Sequence, residues 1–137
     1  MTYAGDITPE EAWKLLSDNP EAVLVDCRTV AEWRFVGVPD LTSLDRDVVY
    51  IEWNRVDGNR NGSFVDDLVA AGITPGDRPV VFLCRSGNRS IGAAEAATAA
   101  GIAPSYNVLD GFEGQLDENR HRGGSGWKAV GLPWKQS

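Results

Sequence analysis

Four apolar residues in unbroken succession, Val80-Val81-Phe82-Leu83, run straight into Cys84. No polar residue alternates with them, so a strand here is buried on both faces, the pattern of a parallel sheet layered between helices. The next segment predicts a helix from about Arg89 to Ala100, alanine-rich and closed by Gly101. A strand that hands over to a helix builds a crossover unit, and parallel strands require such crossovers.

The rest of the chain repeats the theme. Thr8-Pro9-Glu10-Glu11 predicts a helix start with Thr8 as N-cap, Pro9 at the first helical position and Glu11 closing a capping box. Asn19-Pro20 ends that helix, and Val23-Leu24-Val25 is a second buried strand, leading to Asp26-Cys27-Arg28. A helix over Thr29 to Val36 stopped by Gly37, a loop over residues 38–47 and a strand from Val48 to Trp53 follow. After the turn cluster at residues 57–62, Ser63 is expected to cap a helix whose inner face is Phe64, Val65, Leu68 and Val69, with Gly72 as its stop. Tyr106-Asn107-Val108-Leu109 is a last strand, and the tail from Trp127 to Trp134 is expected to pack back through its tryptophans. The expected fold is α/β, a three-layer arrangement with a central parallel sheet and helices on both faces, forming one domain over residues 1–137.

A net charge of −7 argues against nucleic-acid binding, which needs a basic footprint. No run approaches the roughly 18 apolar residues of a membrane span. The N-terminal MTYAGDITPEEAW lacks a basic start and an apolar run, so a cytoplasmic location is expected. Two cysteines, Cys27 and Cys84, make no disulfide framework, and with one histidine they argue against a structural zinc site.

The chemistry concentrates in Cys84-Arg85-Ser86-Gly87-Asn88-Arg89-Ser90. In an open parallel sheet, ligands bind beyond the carboxyl ends of the strands. Unpaired N–H groups at a helix start favour an anion, and Gly87 lets the backbone turn so that those groups point inward. Arg85 and Arg89 add positive charge. The same setting favours a reactive thiolate at Cys84, suited to attack on thiosulfate, a persulfide donor, a phosphate ester or arsenate. Cys27, at the end of a buried strand, reads instead as a core residue. Asp26 and Arg28 end a strand on the same edge as Cys84. They are expected to form an ion pair that fixes the neighbouring loops, with a supporting role at the pocket as the second reading. Arg120, His121 and Arg122 open a basic, flexible insertion running to Gly126 that reads as a solvated face, with anion steering as its alternative.

A strand entering Cys-Arg-x-Gly-x-Arg-Ser resembles the active-site loop of rhodanese-type sulfurtransferases. Other segments follow in the family's order: Asp6-Ile7-Thr8-Pro9-Glu10-Glu11, then Leu24-Val25-Asp26-Cys27-Arg28 with Glu32-Trp33, then Val108-Leu109-Asp110-Gly111-Phe112, then Trp127 with Gly131-Leu132-Pro133. The resemblance implies a rhodanese domain with about five strands in its sheet. It implies a ping-pong transfer in which Cys84 takes a sulfane sulfur from a small anionic donor and passes it to cyanide or a thiol. In that reading the loop from Arg85 through Ser86, Gly87, Asn88 and Arg89 to Ser90 binds the substrate, and neither a metal nor an organic cofactor is required. The chain departs from the family at Gly37-Val38-Pro39-Asp40, where a histidine is common, and at Ser86, where thiosulfate-preferring members often carry lysine.

Two other function classes compete. A cysteine-dependent phosphatase or arsenate reductase needs Cys-x5-Arg, but here the arginine falls one residue early, at Arg89, and Ser90 takes its place. A protein sulfur-relay partner, docking on a desulfurase or a thiolation enzyme, would use the same Cys84 persulfide. A catalytically dead regulatory module is disfavoured by the intact loop.

Overall fold

A computed structural model describes residues 3–55 and 57–136. Met1 and Thr2, part of the N-terminal reading above, lie outside the described residues. The elements run β1 (Gly5–Ile7), α1 (Pro9–Asp18), β2 (Val23–Asp26), α2 (Val30–Phe35), β3 (Val38–Pro39), a 3-10 turn (Thr42–Leu44) and β4 (Val49–Tyr50). They continue with α3 (Phe64–Ala70), β5 (Val80–Leu83), α4 (Arg89–Ala99), β6 (Ser105–Val108) and β7 (Trp134–Lys135).

Five strands form the expected parallel sheet in the order β1-β6-β5-β2-β4. Successive side chains along a strand point to opposite faces, so each central strand feeds two cores. Val23, Val25, Val80 and Phe82 pack with Phe64 and Leu68 of α3 and with Ala93, Ala94 and Ala97 of α4. Leu24, Val81 and Leu83 pack with Ala12 and Leu16 of α1, and with Phe112 and Trp127. Ala93, Ala94 and Ala97 of α4 are fully buried, which lets that helix lie close to the sheet.

The cap expected at Thr8 is present, with Glu11 N–H donating to Thr8 Oγ1 and the Glu11 carboxylate accepting from Thr8 N–H. Thr29 and Glu32 form a second capping box that shortens α2 to Val30–Phe35. Several boundaries differ from the sequence reading. The loop expected over residues 38–47 holds β3 and the 3-10 turn, because β3 finds an antiparallel partner in β7, about 95 residues away and invisible to local pattern. The strand expected from Val48 to Trp53 is confined to Val49–Tyr50, the part that pairs with β2. Ser63 makes no side-chain cap; Asn61 Oδ1 instead accepts from Ser63 N–H. Val69 is exposed and Val65 half-buried, so Phe64 and Leu68 alone form the buried face of α3. Trp127 is buried edge-on to Trp13, while Trp134 stays partly exposed on β7. The insertion is pinned rather than free: Arg122 donates to Gly114 O and Gly123 N–H to Glu113 O.

At the end of β2, Arg28 Nη2 meets Asp26 Oδ2 at 2.6 Å, with neither side chain exposed. The same nitrogen reaches Gly37 O at 2.8 Å, and the guanidinium lies 4.3 Å from the Phe112 ring centroid. The pair therefore clips the end of α2 and the segment after β6 onto the sheet edge. Removing one partner of a fully buried pair leaves an uncompensated charge. Asp26→Ala is expected to cost about 3–5 kcal/mol in urea unfolding. A loss as small as that of the exposed Lys14–Asp18 pair would show that the clip does not hold the edge.

Candidate active site

Cys84 stands at the carboxyl end of β5, where the chain has four residues in which to turn into α4. The turn folds over the sulfur. Gly87 N–H points to Cys84 Sγ at 3.1 Å, and Ser90 Oγ lies 3.1 Å from the same sulfur. Cys84 is 1% exposed, beneath a loop whose Arg85 and Asn88 face solvent. The loop thus forms a small cradle that sets one backbone donor and one hydroxyl around the sulfur atom. Gly87 has φ +94°, a conformation open to glycine, and a Cβ there would stand 3.1 Å from Asp110 N.

The segment after β6 fastens the cradle from outside. Phe112 N–H donates to Cys84 O at 2.8 Å and Glu113 N–H to Arg85 O at 2.9 Å. Gly111, at φ +57°, permits this approach, since a Cβ on it would overlap the Cys84 carbonyl oxygen and lie 2.6 Å from Arg85 C. The Gln115 side-chain amide donates to Ser86 O.

The structure brings Cys84, Gly87 and Ser90 into contact, and the other predicted residues take different hydrogen-bond partners. Arg89 does not line the cradle with free charge. Its Nη1 and Nη2 bind Glu32 Oε1 and Oε2 at 2.8 and 2.9 Å, a bidentate pair that ties α4 to α2. Asp26 and Arg28 face Gly37 and Phe112, as structural partners of the loop. Arg85 is exposed, and Ser86 and Asn88 make one long contact of 3.5 Å.

Cys27 is the in-register neighbour of Cys84. Asp26 pairs with Leu83, and Cys27 N–H donates to Leu83 O at 2.9 Å, so the two thiols sit opposite each other on one face of the sheet. Burial pushes the Cys27 thiol well above its ordinary value, reinforced by Cys84 and Asp26 nearby. It is a core residue, as its sequence setting implied.

Sequence reasoning did not assign roles to Glu32, Asn107, Gly111 or Gln115. Glu32 carried a signal, because Thr29-x-x-Glu32 is a capping box that places the carboxylate at the start of α2. Asn107 carried another, a polar residue inside a buried strand. Gln115 carried none. Clefts elsewhere do not include the loop: one of about 450 Å³ lies among Val30, Trp33, Tyr50, Glu52, Arg55 and Asp67. Thiol chemistry needs a cysteine, and none lines that cleft. Among the described residues, no cluster of three or more His, Cys, Asp or Glu is placed to hold a metal, and no helix is long and apolar enough to cross a membrane.

Comparison with known proteins gives this site a context. The family profile of the STR4 middle domain matches residues 4–137. Thiosulfate sulfurtransferase GlpE of Pseudomonas savastanoi pv. phaseolicola is 32% identical over 113 residues, covering 82% of this chain and 88% of that protein. The chain belongs to the rhodanese-like family. Uncharacterized protein RC0915 of Rickettsia conorii is 35% identical over 130 residues, covering 95% of this rhodanese-like chain and 96% of the relative. The crystal structure of Rv0390 from M. tuberculosis superposes with a TM-score of 0.92 at 66% identity, covering 99% of this chain and 100% of that one. The polysulfide-sulfur transferase homodimer from Wolinella succinogenes superposes at 0.61 with 26% identity, covering 95% of this chain and 77% of that one.

In this rhodanese-like chain, the Glu32–Arg89 pair makes loop stability depend on acid. Burial alone would raise the Glu32 carboxyl, but hydrogen bonds and charge from Arg89 outweigh it and hold the group below its ordinary 4.5. A depressed carboxyl stabilises the fold above its ordinary value, and that contribution is lost as pH falls through the lower folded value. The difference in unfolding free energy between wild type and Glu32→Gln is expected to stay constant down to about pH 5 and to close below that. A difference that does not change with pH would break the assignment.

Proposed function

We propose that the protein is a sulfurtransferase that carries sulfane sulfur as a Cys84 persulfide. The observation that carries this reading is the cradle itself: a sulfur at a strand end with Gly87 N–H and Ser90 Oγ aimed at it. The Gly87 N–H stabilises charge that develops on sulfur during transfer, and the Ser90 hydroxyl adds a second donor when its hydrogen turns to the sulfur.

In the first half-reaction, the Cys84 thiolate attacks the outer sulfur of an anionic donor. With thiosulfate, the donor S–S bond breaks and sulfite leaves with the electron pair. In the second, cyanide or a thiolate attacks the outer persulfide sulfur and Cys84 departs as thiolate. Dividing the transfer between two displacements replaces one hard step with two easier ones. Exposed Arg85, with amides from Arg85 to Arg89, draws the anion to the loop; Arg89 acts through Glu32 to hold the α4 start in place.

Both thiosulfate and polysulfide are reasonable donors, since relatives in this family bear those names. The early arginine disfavours phosphoryl chemistry, because a tetrahedral oxyanion needs a wider loop and a free guanidinium, and Arg89 is already bound. Cyanide or a thiol serves as acceptor, a sulfur-relay protein is the alternative partner, and a reducing cytoplasmic setting suits two free thiols.

Incubation with thiosulfate or polysulfide is expected to add about 32 Da, one sulfur, to the Cys84 peptide by mass spectrometry, and cyanide is expected to remove it. Cys84→Ser is expected to show no adduct. Failure of both donors to load Cys84, or hydrolysis of a generic phosphoester that depends on Cys84, would overturn the reading.

A further inference from the structure

Behind Cys84 runs a chain of hydrogen bonds that the transfer chemistry above does not use. Ser90 Oγ contacts Cys84 Sγ at 3.1 Å and also lies in short contact with Asn107 Oδ1. Asn107 Nδ2 donates to Asp6 Oδ1 at 3.0 Å, and Tyr3 Oη donates to the same oxygen at 2.6 Å. Ser90 and Asn107 are buried, while Asp6 lies at the exposed start of the chain on β1.

The polarity of this chain is determined from its outer end. An ionised carboxylate only accepts, so Asn107 must turn its NH₂ to Asp6. Its carbonyl oxygen then faces Ser90, which must donate its single hydroxyl hydrogen to it. Ser90 has no hydrogen left for sulfur and can only accept there. Hydrogen-bonding to Asp6 pushes the Tyr3 phenol up to about 12, as expected beside a carboxylate acceptor.

We infer that Asp6, acting through Asn107 and Ser90, is a positioning residue that keeps Cys84 as a thiol in the resting protein, its S–H donating to Ser90 Oγ. Ionising Cys84 then requires the Ser90 hydroxyl to turn from Asn107 to the sulfur. On this inference the cradle is poised for negative sulfur while the chain behind it opposes ionisation. The inference rests on the sulfur-carrier reading only for its consequence in turnover.

The test is alkylation of Cys84 by iodoacetamide, followed by peptide mass spectrometry across pH. It needs no sulfur donor, so its failure is separate from failure to load sulfur. Groups that also face this region are Cys27 from β2, the Arg89–Glu32 pair from α4 and α2, the Asp26–Arg28 pair, Arg85 in the loop and Asp110 after β6. All are unchanged in the variants. Asp6→Asn lets the Asn107 amide invert and frees the Ser90 hydroxyl for sulfur. It is expected to speed alkylation at neutral pH about tenfold and move the rate profile about one unit lower. Because Asp6→Asn also removes a charge, the comparison is repeated with Ser90→Ala, where the acceleration should vanish. No acceleration, or equal acceleration in both backgrounds, overturns the inference. An independent measurement covers a Ser90→Ala that fails to fold: wild type at neutral pH should show, besides the Cys27 band, a second infrared S–H stretching band that Cys84→Ser abolishes. Its absence also overturns the inference.

Discussion

Parallel pairing of β2 with β5 positions nearly everything at the candidate site. It sets Val23 opposite Val80 and Asp26 opposite Leu83, and the next residues along are the two cysteines. One register therefore places Cys84 at the carboxyl end of the sheet, a buried thiol beside it and the Asp26–Arg28 clip one step away. A slip of a single residue would turn Cys84 to the opposite core, because side chains alternate faces. The continuous apolar strands resist such a slip through their different partners: Phe82 fits against Phe64 and the alanines of α4, while Leu83 fits among Leu16, Phe112 and Trp127.

The loop after β5 is held by partners distant in sequence. Glu32 holds its helix end through Arg89, and the backbone around Gly111 holds its first two carbonyl groups. Arg28 joins these supports, since its guanidinium binds Gly37 O on one side and stacks on Phe112 on the other. The two supports are thus coupled at the same sheet edge. A small donor cradle with a sulfur at its centre can then be built from four residues of turn.

Much of this could be read from the chain alone, and the parts that could not share a physical cause. The strands at Val23 and Val80, the α1 cap at Thr8 and the helix after Cys84 are local patterns, and they occur where expected. So does the meeting of Cys84, Gly87 and Ser90, which lie within one turn. What local pattern misjudged depends on distant partners. β3 exists because β7 pairs with it, and Val48 to Trp53 is mostly not strand because only Val49–Tyr50 finds a neighbour. Arg89 looked like a free cation until Glu32 reached it from 57 residues upstream. Asn107 and Asp6 are ordinary polar residues until the β1–β6 register brings them side by side.

The fastening of the loop from the segment after β6 has a consequence for when the site can exist. Strand β5 and the loop leave a ribosome well before Gly111, Phe112 and Glu113 do. Chains emerge at about 5–20 residues per second, so there is an interval of seconds in which Cys84 has been made but its carbonyl anchors have not. In that interval the contact with Glu32 is available in sequence, while the contact across Gly111 is not. The cradle is thus completed from its late side, once the last strand of the parallel sheet has docked.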